Sequence, residues 1–513
     1  MNILKTQAVS LIILFILKTS QIHSSRFLKE NSDESEIFMR IEGGYKLMYY
    51  KLDIDIGNSE NDFKKNMEDG SLAKEFQTES VILDTGSEIM SIPCKGCNEN
   101  CGIHEYEPFF AEKSKTFKIS HSCSVIDFVN ICRFNRRYAE GSSIDGFLAH
   151  DYFHYRNNYR TKNKNLNKDI PEELTVMSEF GCTMKENGLF VSQLANGIFG
   201  LGNKSEYLES SEKYLKNEYK MNFGFCFSSK GGIASFDVRK PNILKTSLMG
   251  ESIGKFKDVM TVARFDKNSE FYEIRPTLIK VGNSQPSTMI RDYMIMIDSG
   301  TTFLHVPDQI FDFIISEINT FCAHNKTNCG GVQKLKMEED ICFLFETPDS
   351  NYNSLKDLLH SFPKIELFIL NNSNPIVINP SNYFYKEFSN SAKDHKKKKV
   401  CLAIKPGEND RIILGGFAMQ EKYFYFDRND SQVIIIPHSC SFQQEALVSD
   451  RTRLLAVESV EVESIVHLII LVVIGVIFLI LVILLIFMLR PETSRSLSQN
   501  HEYEFYDMSA DHK

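Results

Sequence analysis

The sequence predicts an all-β protein in the broad sense, mainly strands with a few short helices. The strands form two duplicated lobes about a pseudo-two-fold axis, with one transmembrane helix near the C-terminus. Three observations predict this. One phrase occurs twice, as Val81-Ile82-Leu83-Asp84-Thr85-Gly86-Ser87 and as Ile295-Met296-Ile297-Asp298-Ser299-Gly300-Thr301. Each copy is followed by a proline at the same offset, Pro93 and Pro307, and then by a second phrase. Ile198-Phe199-Gly200 lies about 116 residues after Asp84, and Ile413-Leu414-Gly415 about 117 after Asp298. Matched landmarks in two halves mark an internal duplication. The second observation is the abundance of short alternating runs that end at turn residues. The third is an uninterrupted apolar stretch near the end of the chain.

The strands come first in the argument. Tyr49-Tyr50-Lys51-Leu52-Asp53-Ile54-Asp55-Ile56-Gly57 alternates apolar and polar and stops at glycine, as a half-buried strand does. Tyr423 to Phe426 and Val433 to Ile436 read the same way. The clearest helical pattern is Gln309 to Cys322, which starts after Pro307 and Asp308. Asn58 to Gln77 is polar and sits between two strand patterns, so it reads as a surface insertion. Lys396 to Lys399 reads as a solvated loop before Cys401. The region from Asn222 to Leu248 is expected to hold the crossover between halves.

The ends set the compartment. Lys5 precedes an apolar run from Ala8 to Leu17, followed by small polar residues, the order of a cleavable secretory signal. Ile465 to Leu489 is about 25 residues with no acidic or basic side chain except His467, enough to cross about 30 Å of hydrocarbon. Acidic residues precede it, and Arg490 and Arg495 follow it, which places the tail in the cytosol and the bulk of the chain outside it. The tail offers no K-D-E-L-type retention signal, so endoplasmic reticulum, Golgi, vacuole and cell surface stay open. All 12 cysteines lie between Cys94 and Cys440, on the exported side, which implies disulfides. Asn203, Asn325, Asn371 and Asn429 head N-x-S/T sequons. A net charge of −9, with both signs mixed, argues against a nucleic-acid surface.

The repeated Asp suggests chemistry. Two carboxylates about 3 Å apart cannot both ionise cheaply, so they share a proton and titrate as a pair. The ionised member can take a proton from water and the other can polarise a carbonyl, with neither metal nor cofactor. Thr85 and Ser299 are placed to tie the two loops together. Ser87 and Thr301 are placed to donate to the outer carboxylate oxygens, and Gly86 and Gly300 allow a tight loop. Tyr138-Ala139-Glu140-Gly141-Ser142-Ser143-Ile144-Asp145-Gly146 reads as a hairpin with a glycine at its tip, able to close over the cleft. Its tyrosine is expected to hydrogen-bond near the pair.

In this order and spacing, these motifs resemble the pepsin-type aspartic proteases across roughly residues 45 to 440. The Cys94-Lys95-Gly96-Cys97 and Cys101-Gly102-Ile103-His104 insertion is similar to that of the nepenthesin-like branch. The resemblance implies a bilobal pepsin-like fold with Asp84 and Asp298 catalytic and Tyr138 the flap tyrosine. Thr302 would contact substrate backbone, and Gly86, Gly141 and Gly300 would border the substrate. It suggests Cys342 with Cys401 and Cys226 with Cys440 as disulfides. Cys94, Cys97, Cys101, Cys123, Cys132, Cys182, Cys322 and Cys329 are further disulfide candidates whose pairing sequence does not reveal. A Zn²⁺ site of Cys94, Cys97, Cys101 and His104 is the rival reading of that cluster, and an oxidising lumen favours disulfides over it. The chain has no Trp, so the Trp that supports the flap tyrosine in pepsin is missing.

The resulting expectation is a signal peptide at 1–24 and a lumenal peptidase domain at 41–440, with lobes at about 41–230 and 231–440. A stalk at 441–464, a transmembrane helix at 465–489 and a cytosolic tail at 490–513 follow. The activity expected is endopeptidase hydrolysis of secretory-pathway polypeptides by a monomer that touches the membrane through one helix. The competing class is a catalytically silent module of the same fold that binds or inhibits proteins. Loss of catalysis would show in a broken Asp phrase or a missing flap tyrosine, and both are intact.

Overall fold

The computed structural model describes most of residues 37–440, leaving outside its description 58–75, 157–172, 238–246, 347–354, 387–396 and some shorter breaks. The expected signal peptide, stalk, transmembrane helix and tail all lie outside the described residues. Among the described residues no helix is long and apolar enough to cross a membrane.

The two halves repeat one local topology, and the repeated phrases explain it. Gln77–Asp84 runs parallel to Gly197–Gly200, with Leu83 opposite Phe199 and Asp84 opposite Gly200. Met294–Ile297 runs parallel to Arg411–Leu414, with Ile297 opposite Leu414. In each half a short strand then returns antiparallel on the other side of the second phrase: Met90–Pro93 beside Phe199, Leu304–Pro307 beside Leu414. Asp84 thus ends its strand opposite Gly200, and Asp298 directly follows its strand with its N–H bonded to Leu414 O at 3.2 Å. The apolar run before each Asp is continuous because the strand is covered on both faces. Val81, Leu83, Ile295 and Ile297 are all fully buried.

One sheet joins the halves. In order, Thr261–Arg264, Gln432–Pro437, Lys422–Asp427, Asn222–Ser228, Gly231–Asp237 and Ile37–Gly43 pair antiparallel, and the sheet continues through Tyr50–Ile56 to Gln77–Asp84. Strands from the start, middle and end of the domain thus share one ladder. The hairpin Asn222–Ser228 and Gly231–Asp237 occupies the expected crossover region. Its core is aromatic: Phe223 stacks on Phe426 at 4.7 Å between ring centres, and Tyr272 packs on Phe426 at 4.7 Å. Aromatic pairs at this spacing add about 0.5–1.5 kcal/mol each beyond the area they bury.

Two local readings need correction. Gln77 belongs to the strand rather than to the preceding polar segment, because its amide bonds both the N–H and the C=O of Phe110. The lysine run is not a loop at its end: Lys397–Leu402 is a strand paired with Asp340–Glu346. The Cys342–Cys401 bond joins directly opposed residues of these strands, which pins the register and carries the chain into the ladder. The long helix is Asp308–His324, slightly longer than its sequence pattern.

All 12 cysteines are paired, as Cys94–Cys182, Cys97–Cys101, Cys123–Cys132, Cys226–Cys440, Cys322–Cys329 and Cys342–Cys401. The Zn²⁺ reading is thereby overturned: its three cysteines are in disulfides, and His104 bonds Glu186 at 2.9 Å. Cys226–Cys440 closes a loop of 214 residues and fastens the end of the domain to the shared sheet. Removing it as Cys226→Ala with Cys440→Ala should cost about 2–5 kcal/mol, measured as a shift in urea unfolding.

Glu79, on the strand Gln77–Asp84, is fully buried, with both carboxyl oxygens lacking a hydrogen-bond partner among the described residues. Burial pushes its pKa well above the usual carboxylate range. The folded state then holds a proton that the unfolded state releases at lower pH, so stability falls as pH rises from the unfolded pKa toward the folded one. The slope is about 1.4 kcal/mol per pH unit. Glu79→Gln should flatten that fall, as read from chemical unfolding across a pH series upward from the ordinary carboxylate range.

Candidate active site

The two Asp loops meet at the junction of the halves through a reciprocal set of hydrogen bonds. Thr85 Oγ1 donates to Ile297 O at 2.8 Å and accepts from Ser299 N at 3.0 Å. Ser299 Oγ donates to Leu83 O at 2.8 Å and accepts from Thr85 N at 3.1 Å. Each hydroxyl reaches the main chain just before the other loop's Asp. All four bonds are buried, where a lost partner costs about 1–3 kcal/mol. Thr85 and Ser299 therefore do tie the loops as the sequence suggests.

This tie sets the carboxylates face to face. A Cβ added to Gly86 would lie 2.6 Å from Asp298 Cγ, and one added to Gly300 would lie 2.5 Å from Asp84 Cγ. Each glycine is thus the floor under the other half's carboxylate, and no side chain fits at either position. The acids themselves are 4% and 8% exposed, so both have lost most of their water. Asp84 is held well above the usual carboxylate range, first by burial and then by the neighbouring Asp298 charge.

The donors around the pair are unequal. Asp298 accepts from Gly300 N at 2.9 Å, Thr301 N at 3.3 Å and Thr301 Oγ1 at 2.6 Å. Asp84 accepts from Gly86 N at 2.8 Å. Thr301 thus donates as expected, but Ser87 does not. Its buried hydroxyl lies beside both the Asp84 carboxyl and the Tyr138 phenol, yet is in hydrogen-bond geometry with neither.

Tyr138 begins the turn of a hairpin between Arg133–Arg137 and Ser143–Arg156. Its N–H bonds Ser142 O at 2.9 Å, and Gly141, at φ +96° with open space around it, makes the tip. The phenol oxygen is buried without a hydrogen-bond partner among the described residues, and burial followed by the nearby Asp84 charge raises its pKa. The ring packs on Phe190, 5.1 Å between centres. Phe190 sits in the short helix Leu189–Ser192, whose first N–H is held by Ser142 Oγ of the hairpin. Phe190 supports a tyrosine in a chain that has no Trp, and sequence reasoning missed it. The contact spans about fifty residues and leaves no local periodic signal.

His305 was missed for the same reason. It lies close enough to Asp298 to feel its charge, although burial first and Lys405 second hold its pKa below normal. Thr302, next to the second Asp loop, donates its hydroxyl to Met48 O at 2.6 Å.

With the geometry in view, comparison with known proteins is decisive. A model of the eukaryotic aspartyl protease family matches residues 70–437. The chain belongs to that family. This eukaryotic aspartyl protease is an aspartic endopeptidase, and the repeated Asp phrases fall within the matched span. It is 24% identical over 463 residues to "Plasmepsin V" of Plasmodium falciparum (isolate 3D7), covering 76% of this chain and 71% of that one. It is 24% identical to "Aspartic proteinase-like protein 1" of Arabidopsis thaliana, covering 70% and 64% respectively. A shorter match, 28% identical over 201 residues, is to "Aspartic protease 5" of Toxoplasma gondii, of which it covers 20%.

The loop tie generates a test. Thr85→Ala strands Ile297 O and Ser299 N without partners and should destabilise the domain by about 1–3 kcal/mol in urea unfolding. It should also lower kcat, and Thr85→Ser should restore both.

Proposed function

We propose that Asp84 and Asp298 jointly activate water to hydrolyse peptide bonds of polypeptides in the secretory and endomembrane system. Tyr138 covers the cleft, and the helix expected at 465–489 holds the enzyme to the membrane. One observation carries the reading: loops from the two halves place each carboxylate against the other loop's glycine, with a buried hydroxyl tie beneath them.

The unequal donors divide the labour. Strong burial and the facing Asp298 favour the protonated form of Asp84, which leaves Asp298, with three donors on its oxygens, to act as the base. Asp298 then takes a proton from water as the water oxygen attacks the scissile carbonyl, and Asp84 gives its proton to the carbonyl oxygen. As the C–N bond of the tetrahedral diol breaks, Asp298 gives its proton to the departing amine and Asp84 takes one back from a diol hydroxyl, which restores the starting pair. The buried phenol and hydroxyl of Tyr138 and Ser87 are the groups free to bond incoming substrate. The signal-like run from Ala8 to Leu17 and the apolar stretch from Ile465 to Leu489 support the compartment assigned, as does the full set of disulfides.

Asp84→Ala and Asp298→Ala should each lower kcat on a fluorogenic peptide library by at least about 10³-fold, since each removes one acid–base partner. Neither should lower the melting temperature, because each relieves repulsion between buried acids. Wild-type turnover in either variant would reject the assignment. The pH profile gives a second check. Activity requires the shared proton, so kcat/KM falls on the alkaline side as Asp84 loses it.

A further inference from the structure

The chain carries four sequons, and the structure treats the described three differently. Asn203 is 6% exposed, and its amide nitrogen donates to Asp266 O at 3.3 Å, Lys267 O at 3.3 Å and Ser269 O at 2.7 Å. Its N–H also bonds Glu270 O at 3.0 Å. This residue clips the segment after Gly200 to the other half of the molecule. Asn429 is also engaged: its amide nitrogen donates to Lys220 O and Asn222 Oδ1, both at 3.0 Å, and its Oδ1 accepts from Lys220 N. Asn325 lies outside the described residues.

Asn371 differs. It sits at the turn between Ile365–Ile369 and Ile376–Ile378, exposed and at φ +62°, a left-handed position that asparagine tolerates. The structural work of that turn falls on its neighbours. Asn372 brackets Val262, accepting from its N–H at 2.8 Å and donating to its C=O at 2.7 Å. Asn374 donates to Asp258 O at 3.0 Å and Met260 O at 3.2 Å. Ser373, the third residue of the Asn371 sequon, is exposed as well. Leu370 beside it is 47% exposed, an apolar surface that a sugar chain would shield.

We infer that Asn371 is an N-glycosylation site, and that Asn203 and Asn429 are unmodified in the folded protein. In the transfer, Asn371 Nδ2 bonds the anomeric carbon of a lipid-pyrophosphate-linked oligosaccharide. The bond from that carbon to the pyrophosphate oxygen breaks, the lipid pyrophosphate leaves, and the amide gives up one proton. At Asn371 the new bond displaces no side-chain hydrogen bond among the described residues. At Asn203 it would remove donors from three backbone carbonyls and force a sugar between the two halves. A chain modified there during synthesis would not complete the fold.

The inference rests on the secretory compartment proposed above, and the test separates the two. The full chain is expressed in eukaryotic secretory cells, purified in active form and digested with peptide N-glycosidase in heavy-oxygen water. Each sequon peptide is then read by mass spectrometry, alongside a count of free thiols. The expected result is label at Asn371, none at Asn203 or Asn429, and no free thiols. Asn371→Gln and Ser373→Ala should each abolish the Asn371 glycan without changing the unfolding midpoint of the deglycosylated protein. Fully oxidised protein with Asn371 unlabelled overturns the inference while leaving the compartment intact. Label at Asn203 in active protein overturns it too. Twelve free thiols with no glycan overturn the compartment and the inference together.

Discussion

The structure hangs on the reciprocal hydroxyl tie between Thr85 and Ser299. Each side chain donates to a main-chain carbonyl of the opposite loop and accepts an N–H from it, so neither loop can move without breaking bonds from both directions. These bonds are buried, so water cannot replace them, and breaking one leaves polar groups stranded. The tie fixes the separation of two acids that would otherwise repel one another apart. Everything above it inherits that fixed geometry, including the glycine floors, the donors and the hairpin.

The tie can hold only because the two halves are already joined below. Strands from the start, the middle and the end of the domain share one antiparallel ladder, filled by aromatic residues and closed by Cys226–Cys440. Packing of Phe223, Tyr272 and Phe426 supplies the burial that offsets desolvation of two carboxylic acids above. Stability is thus concentrated beneath the site, and the upper surface retains buried groups without bonding partners. Tyr138 and Ser87 keep unsatisfied hydroxyls, a cost of about 1–3 kcal/mol each that bound substrate can recover.

Symmetry places the carboxylates, and small departures from symmetry distinguish them. Thr301 bonds Asp298, whereas its counterpart Ser87 turns between Asp84 and the tyrosine. A threonine is held more firmly at χ1 than a serine by its methyl group, which suits a fixed donor on one side and an adaptable hydroxyl on the other. Phe190 fills the place under the flap in a chain that contains no Trp, so a supported tyrosine requires an aromatic neighbour and not one particular residue.

Much was legible in the residues themselves. The repeated run into each Asp announced a duplicated unit, and the second phrases lay at matching distances because they are the paired strands. Gly86 and Gly300 marked the tight loops, and the hairpin around Gly141 was readable from its turn chemistry. The contacts that cross long stretches of chain were not legible. Phe190 under Tyr138, His305 near Asp298, Thr302 on Met48, the path of the lysine run and the division of work among Asn203, Asn371 and Asn372 all depend on what lies opposite. Sequence alone determined the duplicated strand–loop unit and the acids at its tip, since local periodicity and glycine placement are written in neighbouring residues. Tertiary structure alone decided which hydroxyls are spent and which acid is better solvated by donors, because those depend on partners that only folding brings within bonding distance.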